Sequence, residues 1–211
     1  MTIRFHKGDI SKAALKLYKD RAAVDTETMG LNPHRDRLCL VQLSPGDGSA
    51  DIVQMDGSAP LELRDNAPNL VSLLENENIL KIFHYARFDV AVLARYLGVG
   101  TAPIFCTKIA SRLARTYTDK HGLKDLVREV LGIEISKTQQ SSDWGAEKLT
   151  QAQLEYAASD VLHLHALMDA LEARLEREDR LEIAEQCFDF LPTRAMLDLM
   201  GWAEEDIFAH S

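Results

Sequence analysis

Cysteine is scarce in this sequence, and its three copies are far apart. Cys39, Cys106 and Cys187 are odd in number and show no C-x-x-C spacing. They suggest neither a disulfide framework nor a structural zinc site. This excludes a small disulfide-rich domain and a small zinc-binding domain. The cytoplasm is the expected compartment.

Long apolar runs are also missing. No stretch approaches the roughly 18 to 20 apolar residues that cross a bilayer, and the basic residues near the start precede no apolar segment. We therefore expect neither export nor membrane insertion, and no membrane partner. Hydrophobic residues make up 46% of the 211 positions and charged residues 27%, which is typical of a soluble globular protein.

Positive charge is in deficit, because the formal net charge is −9. This balance argues at first against a nucleic-acid partner, since phosphates are bound by Lys and Arg. The charge is unevenly distributed: residues 107–148 hold eight basic side chains against six acidic ones, whereas residues 150–211 hold four against fourteen. The acidity therefore belongs mainly to the C-terminal third, and a nucleic-acid partner stays open.

Apolar runs bounded by turn-forming residues predict a sheet in the first half of the chain. The first three runs after residue 20 are close together and predict an antiparallel meander, and later strands alternate with helices. This order predicts an α/β domain with a mixed sheet. The predicted strands are 2–6, 22–27, 38–43, 50–55, 79–83 and 104–106, and the predicted helices are 11–20, 69–76, 86–97, 109–115 and 123–131.

The last third of the chain reads as helical. Thr150 and Gln153 form a T-x-x-Q capping box, and apolar residues then recur at 3,4 spacing as far as Leu175, which predicts one long helix. Residues 136–148 are polar and predict a loop. The tail, 181–211, predicts short helices around Pro192 whose apolar side chains either pack on the core or form a subunit contact.

Two carboxylates end the apolar run at residues 22–27. Asp25 and Glu27 are two positions apart, so a strand points both side chains to one face. Like charges placed side by side are costly unless a cation lies between them. Taken alone, the pair fits an exposed turn better than a metal site, because Asp and Glu are mostly exposed.

Two further acids and a tyrosine change that interpretation. Asp89 lies in the first turn of the helix after a predicted buried strand, where an acid also complements the helix dipole. Tyr156 and Asp160 are four residues apart on the predicted long helix, so both project from the edge of its apolar stripe. Four carboxylates suffice for two hard divalent ions, Mg²⁺ or Mn²⁺. Two such ions suit phosphodiester hydrolysis.

At these residues the chain resembles the DEDD superfamily of 3′-to-5′ exonucleases, in its tyrosine-bearing subgroup, and within it ribonuclease D. The resemblance implies a ribonuclease H-like fold and release of nucleoside 5′-monophosphates from RNA 3′ ends. It rests on the motifs at 24–27, 83–89, 107–112, 122–126, 142–144 and 156–160.

The resemblance also implies a role for each of these five residues. Asp25 would bridge both ions, Glu27 and Asp160 would complete the first site, and Asp89 would hold the second ion. Tyr156 would orient the attacking water, because a tyrosine with a pKa of about 10 is a poor base at neutral pH. All five are thus expected catalytic residues, and the four acids are expected metal ligands.

Substrate contacts are predicted at six further positions, each with a structural alternative. The loop after the metal strand would lie against the terminal nucleotide, or simply form a turn. His84 would contact the scissile strand or end a strand, Lys108 would track phosphates or face solvent, and Trp144 would stack on a base or fill the core. The predicted contacts are Thr28, Met29, Leu31, His84, Lys108 and Trp144.

We expect an exonuclease domain over residues 1–178 and a short helical extension over 179–211 that packs on it. The helical HRDC domains of longer ribonuclease D proteins are not expected. RNA 3′ ends are the expected partner, with DNA possible. Two alternatives stay open: a 3′-to-5′ DNA exonuclease of the proofreading or Werner type, and a non-catalytic RNA-binding module with the same fold.

Overall fold

A six-stranded sheet organises the residues that the structure describes. The computed structural model describes residues 1–56, 61–136 and 138–210. The strands lie side by side in the order β1-β4-β3-β2-β5-β6. Their bounds are β1 (Thr2–Lys7), β2 (Arg21–Thr28), β3 (Leu38–Ser44), β4 (Ser49–Gln54), β5 (Leu80–Phe83) and β6 (Ile104–Cys106).

The sheet is mixed, as the sequence predicts. β2 pairs with β3 and β3 with β4 in antiparallel fashion, which confirms the meander. β5 and β6 continue from β2 in parallel, and β1 pairs in parallel with β4 at the opposite edge. Every residue of β3 is buried, so both faces of the sheet are covered at its centre.

Helices cover the sheet and follow the predicted order, with one addition. None of the helices among the described residues has the length and apolar character needed to cross a membrane. The predicted helix at 11–20 shortens to four residues, and α2 was not predicted. The bounds are α1 (Lys12–Leu15), α2 (Glu62–Asn66), α3 (Pro68–Leu74), α4 (Ala86–Leu97), α5 (Thr107–Ala114), α6 (Leu123–Leu131), α7 (Gln151–Leu162), α8 (Leu164–Arg177), α9 (Leu181–Leu197) and a wide-turn π-helix (Asp198–Trp202).

The prediction of one long helix after Thr150 is wrong at a single residue. The capping box of Thr150 and Gln153 is present, but the helix breaks at His163, whose φ of −102° and ψ of −5° separate α7 from α8. The two halves pack on different partners, because α7 lies on β3 and β4 whereas α8 lies on α5 and α6. The apolar spacing runs through the break, so it gave no sign of it.

The prediction of short helices around Pro192 is also wrong, because α9 runs through this proline. Proline removes one helical hydrogen bond, which normally ends or kinks a helix. Here burial on the core outweighs that loss: Phe188 and Leu191 are 4% exposed, and the Phe188 ring centroid lies 4.7 Å from that of Phe105 in β6. Tertiary packing thus overrides the local signal.

A buried carboxylate ties the edge strand β1 to the sheet. Asp51 of β4 is fully buried and accepts hydrogen bonds from Arg4 Nε at 2.8 Å and Nη2 at 2.7 Å. His6 Nε2 and the Tyr18 hydroxyl each lie 2.7 Å from the same carboxylate. The charge is therefore compensated by groups on β1 and on the segment after α1.

Replacing this carboxylate should destabilise the fold. We expect Asp51→Ala to lower the free energy of unfolding by about 3 kcal/mol, because Arg4 and Tyr18 lose their acceptor. Tyr18→Phe removes one donor only and should cost about 1 kcal/mol. Urea denaturation followed by circular dichroism measures both. Equal midpoints for Asp51→Ala and the unmodified chain would contradict this role.

Candidate active site

Three carboxylates converge at the end of β2. Asp25 and Glu27 project from the same face of this strand, and Asp160 reaches them from α7, which packs across β2, β3 and β4. One oxygen from each of the three lies within 4.8 Å of the others. All three are partly exposed and line a cleft of about 680 Å³.

Asp89 approaches the same strand from another direction. It lies in the first turn of α4, directly after β5, and is only 3% exposed. Its carboxylate accepts a 2.7 Å hydrogen bond from the Thr26 hydroxyl. Because side chains alternate along a strand, Thr26 points away from the face that carries Asp25 and Glu27. Asp89 lines the cleft but is outside the group of three.

Burial and mutual repulsion disfavour ionisation of these acids. Burial is the largest cause and raises the pKa of Glu27 to about 9. It raises the pKa values of Asp89 and Asp160 to about 7. The pKa of Asp25 is raised well above its ordinary value by burial and then by the charges of Asp89, Asp160 and Glu27. The site holds more negative charge than it can stabilise without a cation.

Tyr156 lies one turn before Asp160 and also lines the cleft. Burial, and next the charge of Asp160, raise the pKa of Tyr156 further above its ordinary value. The side chain therefore keeps its proton at neutral pH and cannot serve as a general base in this state. It can donate or accept a hydrogen bond at a fixed position.

Besides Trp144, five of the six predicted substrate contacts line the cleft. Thr28 is buried, and its hydroxyl donates to the Gly30 carbonyl. Leu31 is 86% exposed and Met29 52%, so the loop after β2 offers an apolar rim. His84 Nδ1 lies 2.9 Å from the Thr107 hydroxyl, which donates to the Phe83 carbonyl at 3.1 Å. The five are Thr28, Met29, Leu31, His84 and Lys108.

The base-stacking prediction for Trp144 needs correction. Trp144 also borders the cleft, but it is only 3% exposed and offers no open ring face to a base. Its ring centroid lies 5.9 Å from that of Tyr156. The turn that carries it is held by Arg37, which donates to the Gly145 carbonyl at 3.2 Å, and by Gln54, which donates to the Ala146 carbonyl at 2.9 Å. Trp144 therefore packs behind Tyr156.

Sequence reasoning missed several residues that line the cleft. Tyr85 is 45% exposed, and the Lys108 Nζ atom lies 4.2 Å from the centroid of its ring. Its position between His84 and Asp89 in a recognised motif was a signal that could have identified it. Gln140 and Ser141 carried no comparable signal, because their polar loop has no periodicity, whereas Ser142 lies in the motif at 142–144. The missed residues include Tyr85, Phe88, Gln140, Ser141 and Ser142.

Comparison with known proteins assigns the chain to a family. Residues 6–176 match the family model described as 3′-5′ exonuclease. The chain belongs to the 3′-5′ exonuclease family. Ribonuclease D of Gluconacetobacter diazotrophicus is 38% identical over 160 residues, which are 76% of this exonuclease chain and 39% of that protein. The chain thus spans about two fifths of the length of this curated relative.

Solved structures agree with the family and the fold. NrnC of Brucella melitensis bound to pGG is 62% identical over the full length of both chains, with a TM-score of 0.93. The same protein with bound Mg²⁺ is 61% identical, again over both full lengths, with a TM-score of 0.93. Escherichia coli RNase D is 24% identical, covers 87% of this exonuclease and 46% of its own chain, and has a TM-score of 0.73. The predicted ribonuclease H-like fold is confirmed.

The acids fit a divalent cation on chemical grounds. Carboxylate oxygens are the ligands that Mg²⁺ and Mn²⁺ prefer, and the three converging oxygens belong to side chains that remain partly exposed. Neither sulfur nor imidazole is part of this group. The raised pKa values also indicate a cation site, because a bound cation would offset the repulsion that contributes to these pKa shifts.

Removing one acid should change how stability depends on pH. A carboxyl group with a raised pKa binds its proton more tightly in the folded chain, so the free energy of unfolding falls as pH rises between the unfolded and folded pKa values. Without metal, stability should fall from about pH 4 towards pH 9, which is about the pKa of Glu27. We expect Asp25→Asn to raise the free energy of unfolding at pH 8 by about 2 kcal/mol.

Urea denaturation at pH 5 and pH 8 in the presence of a chelator measures this effect. Glu155→Gln is the matched control, because Glu155 is exposed on the same helix as Asp160 and its loss should change little. Added Mg²⁺ should raise the stability of the unmodified chain at pH 8. If the free energies of unfolding of Asp25→Asn and of the unmodified chain depended on pH in the same way, repulsion between Asp25 and the neighbouring carboxylates would be excluded.

Proposed function

We propose that this chain is a metal-dependent 3′-to-5′ exoribonuclease that releases nucleoside 5′-monophosphates from RNA 3′ ends. The convergence of Asp25, Glu27 and Asp160 within 4.8 Å, in a cleft beside Tyr156, is the observation that carries the proposal. Membership of the 3′-5′ exonuclease family supports the same chemistry.

Four acids would hold two divalent ions. Glu27 and Asp160 would share one ion with Asp25, and Asp89 would assist the second ion together with Asp25. The relative solved with bound Mg²⁺ supports this metal as the cofactor, and Mn²⁺ has the same ligand preference. When bound, the ions supply positive charge that promotes attack by water and stabilises the departing oxygen. The protein's part is to gather the carboxylates at one strand end.

Tyr156 would position the water that attacks the phosphate. Its hydroxyl stays protonated, since burial raises its pKa, so its contribution is direction and not proton removal. Trp144 packs against its ring and limits its motion. A fixed hydroxyl beside the acids suits an in-line attack on the terminal phosphodiester.

Short RNA is the substrate that the surroundings of the cleft support. The relative solved with bound pGG, an oligoribonucleotide, matches this chain over its full length. The cleft brings the cations of Lys108 and Lys124 and the exposed apolar side chains of Met29 and Leu31 to the same acids. Phosphates and bases are the groups that these side chains recognise.

Digestion of defined oligonucleotides tests the proposal. The substrates are pGG, a longer 5′-phosphorylated RNA and a DNA of matched sequence, each with Mg²⁺ and with a chelator. We expect 5′-monophosphates from RNA in Mg²⁺ alone. Asp25→Asn should lower the rate by about 1,000-fold, because it is the shared ligand. Tyr156→Phe should lower it by about 100-fold, since both ions remain bound.

Glu155→Gln is the control in this experiment too and should leave the rate unchanged. Faster digestion of the matched DNA would favour the DNA exonuclease. Full activity of Asp25→Asn, or release of products in the chelator, would contradict the proposal. Absence of both turnover and Mg²⁺ binding would favour the non-catalytic RNA-binding module.

A further inference from the structure

Gln42 is an unusual residue at the centre of the sheet. It lies in β3, and its side chain is fully buried. Neither Oε1 nor Nε2 of its amide has a hydrogen-bond partner among the residues that the structure describes. A buried amide without partners is costly, whereas an apolar side chain of the same size would be nearly free of that cost. Packing alone therefore gives no reason for glutamine here.

The strand register places Gln42 next to the acids. Gln42 is directly opposite Asp25 in the antiparallel pairing of β2 and β3. Side chains of directly opposite residues share one face of the sheet, with Cβ atoms about 4.5 to 5.5 Å apart. The same face is covered by α7, the helix of Tyr156 and Asp160. Gln42 does not line the cleft, so it lies behind Asp25 and out of reach of the substrate.

The Asp25 carboxylate would supply the partner that the amide lacks. A carboxylate that binds cations through one edge still has lone pairs for a donor, and a glutamine Nε2 group carries two hydrogens. Hydrogen bonds of this kind orient the ligands of metal sites and raise their affinity. Gln54 and Gln153, by contrast, already donate to the carbonyls of Ala146 and Asp143.

We infer that Gln42 is a positioning residue for Asp25, whose carboxylate accepts a hydrogen bond from the Gln42 amide in the metal-bound protein. The inference rests on the proposed function, because it needs Asp25 to be a metal ligand. The unpaired Gln42 amide destabilises the metal-free protein, and its hydrogen bond to Asp25 stabilises the metal-bound protein. Replacement of Gln42 by an apolar residue should therefore stabilise the metal-free protein and lower its affinity for the metal.

Gln42→Met tests the inference, because methionine has a similar length and no amide. We expect the metal-free variant to melt about 2 to 4 °C higher and the dissociation constant for Mg²⁺ to rise by about 10- to 100-fold. Calorimetric titration with Mg²⁺ alone measures the second effect without reference to activity. In turnover of pGG, kcat should fall at saturating Mg²⁺ while KM for pGG stays unchanged.

Thr101→Val is the matched control. The Thr101 hydroxyl is also buried and without a partner among the described residues, but it lies beyond the C-terminal end of α4, the end opposite Asp89. Its replacement should raise the melting temperature without changing Mg²⁺ affinity. A gain in stability alone is thereby separated from an effect on the metal site.

The outcomes separate the inference from the proposed function. If the unmodified chain binds Mg²⁺ and Gln42→Met binds it equally well, the inference is wrong and the proposed function stands. If the unmodified chain does not bind Mg²⁺, both fail. Should Gln42→Met not fold, the side-chain ¹⁵N–¹H signals of Gln42 in the unmodified chain decide. They should shift with Mg²⁺ while those of Gln54 stay in place, and an unmoved Gln42 signal would overturn the inference.

Discussion

Repulsion between carboxylates at the end of β2 is the constraint on which the site depends. Asp25, Glu27 and Asp160 bring oxygens within 4.8 Å of one another, and Asp89 adds its charge from α4. Burial raises the pKa of each of the three converging groups, and neighbouring charges raise the pKa values of Asp25 and Glu27 further. Such an arrangement is tolerated only because a well-packed sheet and two helices fix the four acids independently of one another.

The fold supplies that rigidity from three directions. β2 is central in the sheet, with β3 on one side and β5 on the other. α7 begins at a complete capping box, so Tyr156 and Asp160 stand on a helix with a defined start. Arg87 of α4 donates to Asp198 at 2.5 and 2.8 Å, so the helix of Asp89 is also tied to the C-terminal residues. The functional groups therefore stand on elements and not on free loops.

The sequence was informative where local rules and tertiary packing agree. The apolar runs and the turn formers between them predicted the meander correctly, and the spacing of Tyr156 and Asp160 predicted their common face. The break between α7 and α8 at His163 could not be predicted, because apolar residues continue at the same spacing on both sides of it. Pro192 led to the wrong prediction of short helices, since burial of Phe188 outweighs the one hydrogen bond that proline removes. The choice between base stacking and core packing for Trp144 could not be made from the sequence, because a polar loop says nothing about the pocket behind it.

Proton release on binding of Mg²⁺ tests the central claim most directly. If the carboxyl groups hold protons near neutral pH because burial, and next their mutual repulsion, disfavours ionisation, the cation must displace them. Calorimetric titrations at pH 7 in buffers of different ionisation enthalpy count those protons. The account predicts release of about one proton or more, because Glu27 has a pKa of about 9, and a smaller release as pH approaches that value. Binding of Mg²⁺ at pH 7 with no proton release would contradict it.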